Sequence, residues 1–542
     1  MAELPIDFPE AAQAWADMTE SALVTRLEEP ASKQAKVAAH WDEPDSPMWS
    51  ILLANWLNAP GSPVSDRTAF QAKKLATLEQ FLFHLIRWFR QAIQSDPTDP
   101  DSHLYKLVLV QQVALLYSKI HGMGLQRTEG NLLQVLFSSG HSTAIRLGVD
   151  FLLSKPPMNW ADVSLSLAPL VQSKTWNVED VFPRLLQSTD PSVLSPALDV
   201  SNHYFRSRKP AIHPAESEFE SLLKILGGLV NQLGMLEENP TQFGDSVSSI
   251  QKILFDSVSL SVSLCDTLGQ LGKKEAIGKL NQALKLTHRR IQTEAAFALA
   301  KLGDKNGEQR LLELASDFAC RQRAVAYLEE LGIEDRVDEK WTTAAALAES
   351  QLASWLAQNE QMGIVPARME LLDQRTLGWP GFDQPQECFL FRFEYDMQDS
   401  VFSNLGFAGP MSNSFSDDLA NISMEDAYAI FAGWDIDHPD VYELPPMALL
   451  PAQRNIVNQW IESLRDRFDS VDLIFYGVFL EHQSMLARGK KGNESRVFVF
   501  DGDKLLHEPF PTPGLADPKL TYLLWRGRLF LQSSGYSQDD ES

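Results

Sequence analysis

Cysteine is scarce in this sequence. Cys265, Cys320 and Cys388 are the only three in 542 residues. They are far apart and odd in number, which excludes a disulfide framework and a paired-cysteine metal motif. Long apolar runs are also lacking. None approaches the roughly 20 residues that a membrane-spanning helix needs, so no membrane association is expected. Positive charge is in deficit: 47 Lys and Arg stand against 72 Asp and Glu, a formal net charge of -25. Polyanions are bound through a basic footprint, so nucleic acid and anionic lipid are not expected partners. The opening residues, Met1 to Phe8, carry no basic region and no apolar segment, and do not read as a secretory signal. With the reduced thiols, this predicts a cytoplasmic protein. Compact catalytic signatures are missing too. The sequence holds no HExxH, no GxSxG, no GxxxxGK[ST], no CxxC and no dinucleotide fingerprint. Neither a metal nor a cofactor is expected, and catalysis has no assigned residue.

What is present is enough apolar material for a large core, 44% of the chain. Thr287 to Asp304 predicts a helix rich in small residues, Ala295, Ala296, Ala298 and Ala300, with Ile291, Phe297, Leu299 and Leu302 between them. Small side chains let neighbouring helices approach closely. Gly303 supplies a left-handed stop. A Leu-Gly pair also closes the segments at Leu271-Gly272 and Leu331-Gly332. A recurrence at about 30 residues marks stacked helical repeats.

The residues Arg290, Ala295, Ala296, Ala298, Leu299, Leu302, Gly303 and Asp304 resemble the HEAT-repeat family, in its short bacterial form also found in phycobilin lyases. The match spans roughly residues 264–337. It implies antiparallel helix pairs stacked into a curved α-solenoid, a fold whose long groove suits peptide or protein partners but whose function sits on its exposed faces.

The chain divides by pattern. Residues 1–130 predict an N-terminal helical region, including a helix at 48–57, one at 70–92 and a nearly apolar one at 104–121. Residues 131–360 predict HEAT-like repeats, with units opening near Gly140 and at Asp190-Pro191, a basic loop at Arg206 to Pro210, and a closing helix at 342–360. After about Gln361 the period changes from helical to alternating. Residues 361–532 predict an α+β domain with an antiparallel sheet. Its strands are Cys388–Tyr395, Val401–Ala408, Val471–Leu480, Arg496–Phe500 and a pair, Tyr522–Trp525 with Leu529–Leu531, joined by a turn at Arg526-Gly527. Two helices are expected between them, one capped by Ser423 and stopped near Gly433, the other over Pro451–Phe468. Residues 533–542 predict a disordered acidic tail.

Two clusters stand out as candidate sites. Asp435, Asp437, His438 and Asp440 gather carboxylates and an imidazole within a few residues, the types that serve as acid, base or cation ligand. Their spacing matches no metal loop, and a solvated loop is the competing reading. His288, Arg289 and Arg290 open a repeat helix and could line the concave, partner-binding side of a solenoid, with ordinary exposed basic residues as the competing reading. Gly489-Lys490-Lys491-Gly492 has the letters of an RNA-clamping loop, but it falls between strands and predicts a charged hairpin. Trp379-Pro380-Gly381-Phe382 predicts a turn packed on the sheet. The combined expectation is an acidic interaction scaffold or adaptor with protein partners. The alternative is an enzyme, or a small-ligand or metal-binding protein, with its site in the α+β domain.

Overall fold

The computed structural model describes residues 110–533, apart from breaks at 119, 123, 173–175, 244–245, 359–360, 398–399 and 511–513, together with a few residues between 82 and 90. The helix expected at 48–57, most of that at 70–92 and the acidic tail beyond residue 533 lie outside the described residues. The helix expected at 104–121 is helical from Val110 to Ser118. The chain is mainly helical, with two antiparallel sheets in its C-terminal region. It forms two compact units, Met1–Glu308 and Gln309–Ser542.

In the first unit the helices, numbered from residue 126, are α1 (Gln126–Ser138), α2 (Ser142–Ser154), α3 (Trp160–Gln172), α4 (Pro191–Arg208), α5 (Phe219–Glu238), α6 (Val247–Leu271), α7 (Ile277–Ala283) and α8 (Arg289–Lys301). One row runs α1, α3, α4, α6, α8, each packed on the next. Beside it α2 packs on α1, α5 on α6 and α7, and α7 on α8. Local chemistry sets the ends. Asp190 caps α4 by accepting the Ser192 N–H at 2.9 Å, with Pro191 at the first helical position. Gly272 and Gly303 follow α6 and α8 with φ of 69° and 79°, a conformation that favours glycine. Small residues bring α6 and α8 together: a Cβ on Gly269 would lie 2.9 Å from the Ala298 Cα. The basic stretch from Arg206 is no loop. Arg206 and Arg208 form the last turn of α4, where the helix dipole favours cations, and Lys209 ends it at φ 48°.

The second unit begins within α9 (Lys305–Leu314) and continues with α10 (Arg321–Glu330) and α11 (Ala344–Leu356). Gly332, at φ 67°, repeats the glycine ending. Arg321 ties α10 to α11. Its buried guanidinium donates to the carbonyls of Ala315 at 3.1 Å and Ala346 at 2.8 Å, pairs with Glu349 at 2.5 Å, and lies over the Trp341 ring.

The first sheet is a meander of β1 (Arg368–Leu377), β2 (Gln386–Met397), β3 (Ser400–Ala408) and β4 (Asn413–Ser414), followed by α12 (Met424–Asp435). After β5 (Val441–Leu444) and α13 (Pro451–Ser463), the pattern recurs in β6 (Ser470–Phe479), β7 (His482–Lys491), β8 (Glu494–Phe500) and β9 (Leu505–His507). It ends in α14 (Pro518–Ser533). A helix, a four-stranded meander and a helix thus occur twice. Both copies carry a bulge after the fourth residue of the first strand, Leu371 and Leu473. In both, two residues separate the second strand from the third, with Met397 paired with Ser400 and Lys491 with Glu494.

Five layers result. α11 covers Phe389, Phe391, Phe393 and Tyr395 on one face of the first sheet. α12 and α14 cover Cys388, Leu390, Leu405 and Phe407 on its other face. α14 also packs on Phe479, Leu486, Val497 and Val499 of the second sheet. α13 closes the far side on Tyr476, Met485, Phe498 and Phe500.

Two expectations are corrected here. Tyr522 to Leu531 is not a strand pair but the middle of α14. A helix buried between two sheets is apolar nearly all round, and a short apolar run with an internal glycine carries no period to tell it from strands. Gly433 does not stop α12. It and Gly527 are where α12 and α14 cross, and a Cβ on Gly433 would lie 2.9 Å from the Leu523 carbonyl carbon. The two helices share the pattern Tyr-x-(Ile/Leu)-(Phe/Trp)-x-Gly, at Tyr428–Gly433 and Tyr522–Gly527.

Candidate functional site

The seam between α4 and α6 is polar. α4 contributes Asp199, Asn202 and Arg206, and α6 contributes Ser263, Asp266, Thr267 and Gln270, residues three or four apart and so on one face of each helix. The Ser263 hydroxyl donates to Asp199 Oδ1 at 2.7 Å. Asn202 Nδ2 donates to Asp266 Oδ2 at 3.0 Å, and its Oδ1 accepts from Thr267 Oγ1 at 3.0 Å. Arg206 pairs with Asp266, and Gln270 Nε2 donates to the same carboxylate at 3.0 Å.

Asp199 remains accessible to solvent, yet protein crowds it. Loss of hydration pushes its carboxyl up. The Ser263 bond opposes this, Asp266 adds to it, and Arg290 and Arg206 pull it back. Arg290 sits on α8, so charges from three successive helices act on one another. Next to them His213 is buried. Its Nδ1 accepts the Ala215 N–H at 3.0 Å, and burial pushes its pKa down to about 4, with Arg206 adding to the effect and Asp266 and Glu216 opposing it.

Of the three basic residues expected at a partner surface, the exposed Arg290 therefore joins this ladder. Arg289 is exposed and donates to Gln292 Oε1 at 3.2 Å. His288 is half-buried at the start of α8, and burial, then Arg290, holds its pKa below the usual range. Asp199, Asn202 and Asp266 were not singled out from the sequence, and Arg206 was read only as part of a basic loop. Their spacing along each helix was legible, but their convergence across two helices about 60 residues apart was not.

The acidic cluster of the second unit takes a different form. Asp435 ends α12 and accepts the Trp379 indole N–H at 2.8 Å. Trp379 is buried and stacks on Phe407, with ring centroids 4.4 Å apart. Phe382, across the Gly381 bend, stays exposed. Asp437, His438 and Asp440 are exposed in the turn that leads into β5. His438 Nδ1 accepts the Asp440 N–H at 3.1 Å, and its carbonyl accepts the Val441 N–H. Among the described residues, no group of three or more His, Cys, Asp or Glu side chains is placed to hold a metal ion. Nor is any helix among them long and apolar enough to cross a membrane.

The second unit does hold an open cleft of about 340 Å³, lined by Asp466, Arg467, Phe468, Gly489, Lys491, Glu494, Arg496 and His507. None of the four residues of the acidic cluster lines it.

No protein-family model matches the sequence, and no curated protein or solved structure is similar to it. The functional reading therefore rests on the residues themselves.

Proposed function

We propose that this chain is a protein-interaction scaffold or adaptor built on HEAT-like repeats, working in the cytoplasm, with no catalytic activity assigned to it. The observation that carries this reading is the charged ladder of Asp199, Arg206, Asp266 and Arg290 across α4, α6 and α8. In a stacked array each helix touches only its neighbours, so such a ladder extends along the array and offers successive contacts to an extended partner. Mixed charge on the ladder and a net charge of -25 favour a partner segment that is basic or mixed in charge.

The test is cross-linking of the full chain in native extract, with the wild type and Arg290→Glu compared. Arg290 is exposed, so the change spares the core. A dominant protein partner cross-linked to α4, α6 and α8, and held at least fivefold more weakly by Arg290→Glu, is the expected result. Cross-links elsewhere, or equal retention by the variant, overturn the assignment. The alternative is an enzyme, or a small-ligand or metal-binding protein, with its site in the C-terminal α+β region.

A further inference from the structure

The geometry points to a binding site for a small phosphate-bearing molecule in the cleft between the α13–β6 connection and the β7–β8 hairpin. This site is independent of the scaffold reading and lies wholly in the second unit. Its cations are Arg467, from the connection, and Lys491 and Arg496, from the hairpin. Among the described residues, none of the three has an ion-pair or side-chain hydrogen-bond partner. Free cations converging on one cleft are unusual in a chain so acidic, where carboxylates to pair with them are plentiful.

Asp466 and Glu494 also line the cleft, and among the described residues neither forms an ion pair with these cations. His507 records the balance of charge inside. After burial, the influences on its imidazole are Arg496 and Arg467, which lower its pKa, and Glu508, which raises it. Two guanidiniums present fork-shaped donors suited to phosphate oxygens, and a lysine adds a third positive charge. Phe468 is part of the lining and stacks on Phe498, with centroids 4.8 Å apart and planes within 4°. The volume is at the small end of ligand pockets and fits a metabolite-sized group rather than a polymer.

The duplicated meander supplies a second, independent argument. Two pairs back from each two-residue connection, the first copy has Tyr395 opposite Phe402, and the second has Gly489 opposite Arg496. In the first copy that position belongs to an aromatic cluster of Phe393, Tyr395 and Phe402 under α11. In the second copy a glycine removes one ring and an arginine replaces the other. Phe468 occupies part of the space, 2.5 Å from where a Gly489 Cβ would lie, and the rest is the cleft. The same frame thus carries a filled core in one copy and a cationic opening in the other.

The test uses the full chain and pyrophosphate, followed by calorimetry and by the His507 ring resonances. Saturable binding that shifts the His507 signals is expected. Arg467→Gln and Arg496→Gln should each weaken it at least tenfold, because each removes charge-assisted hydrogen bonds. Both side chains are exposed, so the fold should survive. Lys490→Gln removes equal charge from the same hairpin but on the opposite face of the strand, and should change affinity less than twofold. Absence of saturable binding overturns the proposal, as does binding that leaves His507 unmoved. Equal weakening by all three variants would mean general charge attraction and would overturn it as well.

Discussion

Replacing Gly527 by alanine tests the architecture of the second unit most directly. In an exposed helix interior this change stabilises, by about 1 kcal/mol, because alanine has the better helix propensity. At Gly527 the new Cβ would lie 2.6 Å from the Ala429 carbonyl carbon, closer still to its oxygen, and 3.0 Å from the Gly433 nitrogen. Ordinary carbon contacts sit near 3.5–4.0 Å, so α12 and α14 would have to part by roughly 1 Å. The obstacle is backbone on both sides, and no rotamer relieves it.

Parting loosens both cores that α14 serves, around Leu523 and Leu524 towards the first sheet and around Tyr522 and Trp525 towards the second. A gap of that size forfeits a quarter to a half of each affected dispersion contact. Overpacking of this kind costs about 1–3 kcal/mol, with rigid surroundings at the upper end or beyond. The expected net loss is about 3 kcal/mol. Urea titration read by hydrogen exchange in α12 and α14 peptides measures it. Gly234→Ala in α5, where a Cβ meets nothing within 4 Å, is the control and should stabilise slightly. If Gly527→Ala costs less than about 1 kcal/mol, or matches the control, the helix crossing is wrong.

Other outcomes follow from single sites. Arg321→Ala removes the buried partner of the half-buried Glu349 and strands three carbonyls, those of Ala315, Ser316 and Ala346; urea unfolding should show a loss of about 3 kcal/mol. His213 is neutral when folded, with its pKa pushed down to about 4 from an ordinary value of 6.5. The unfolded chain therefore binds the extra proton first. The stability of the first unit should be full above pH 6.5 and fall by about 3 kcal/mol as the pH drops towards 4. His213→Gln should flatten that slope in urea titrations run across the range. Trp379→Phe keeps the stacking on Phe407 but leaves Asp435 without its indole donor. A loss of about 1 kcal/mol is expected in the same assay, and a null effect would remove the structural role given to Asp435.

The sequence by itself determined what depends on neighbours along the chain. The glycine endings at Gly272, Gly303 and Gly332 were legible because only a residue without a Cβ enters the left-handed region freely. The caps at Asp190 and Ser423 were legible because a short polar side chain bonds a backbone N–H two or three residues on. The strands from Cys388 to Tyr395 and from Arg496 to Phe500 declared themselves by alternation and β-branched or aromatic content.

Tertiary structure alone decided the rest. α14 was indistinguishable from strands until two sheets enclosed it, since burial on all sides erases amphipathic period. Gly433 and Gly527 carry the same letter as the helix stops but serve a crossing, and only the partner helix reveals that. The charged ladder of Asp199, Asp266 and Arg290 and the cationic cleft of Arg467, Lys491 and Arg496 each join residues from separate segments. Electrostatic fields act through space, and which charges meet is settled by packing rather than by order along the chain.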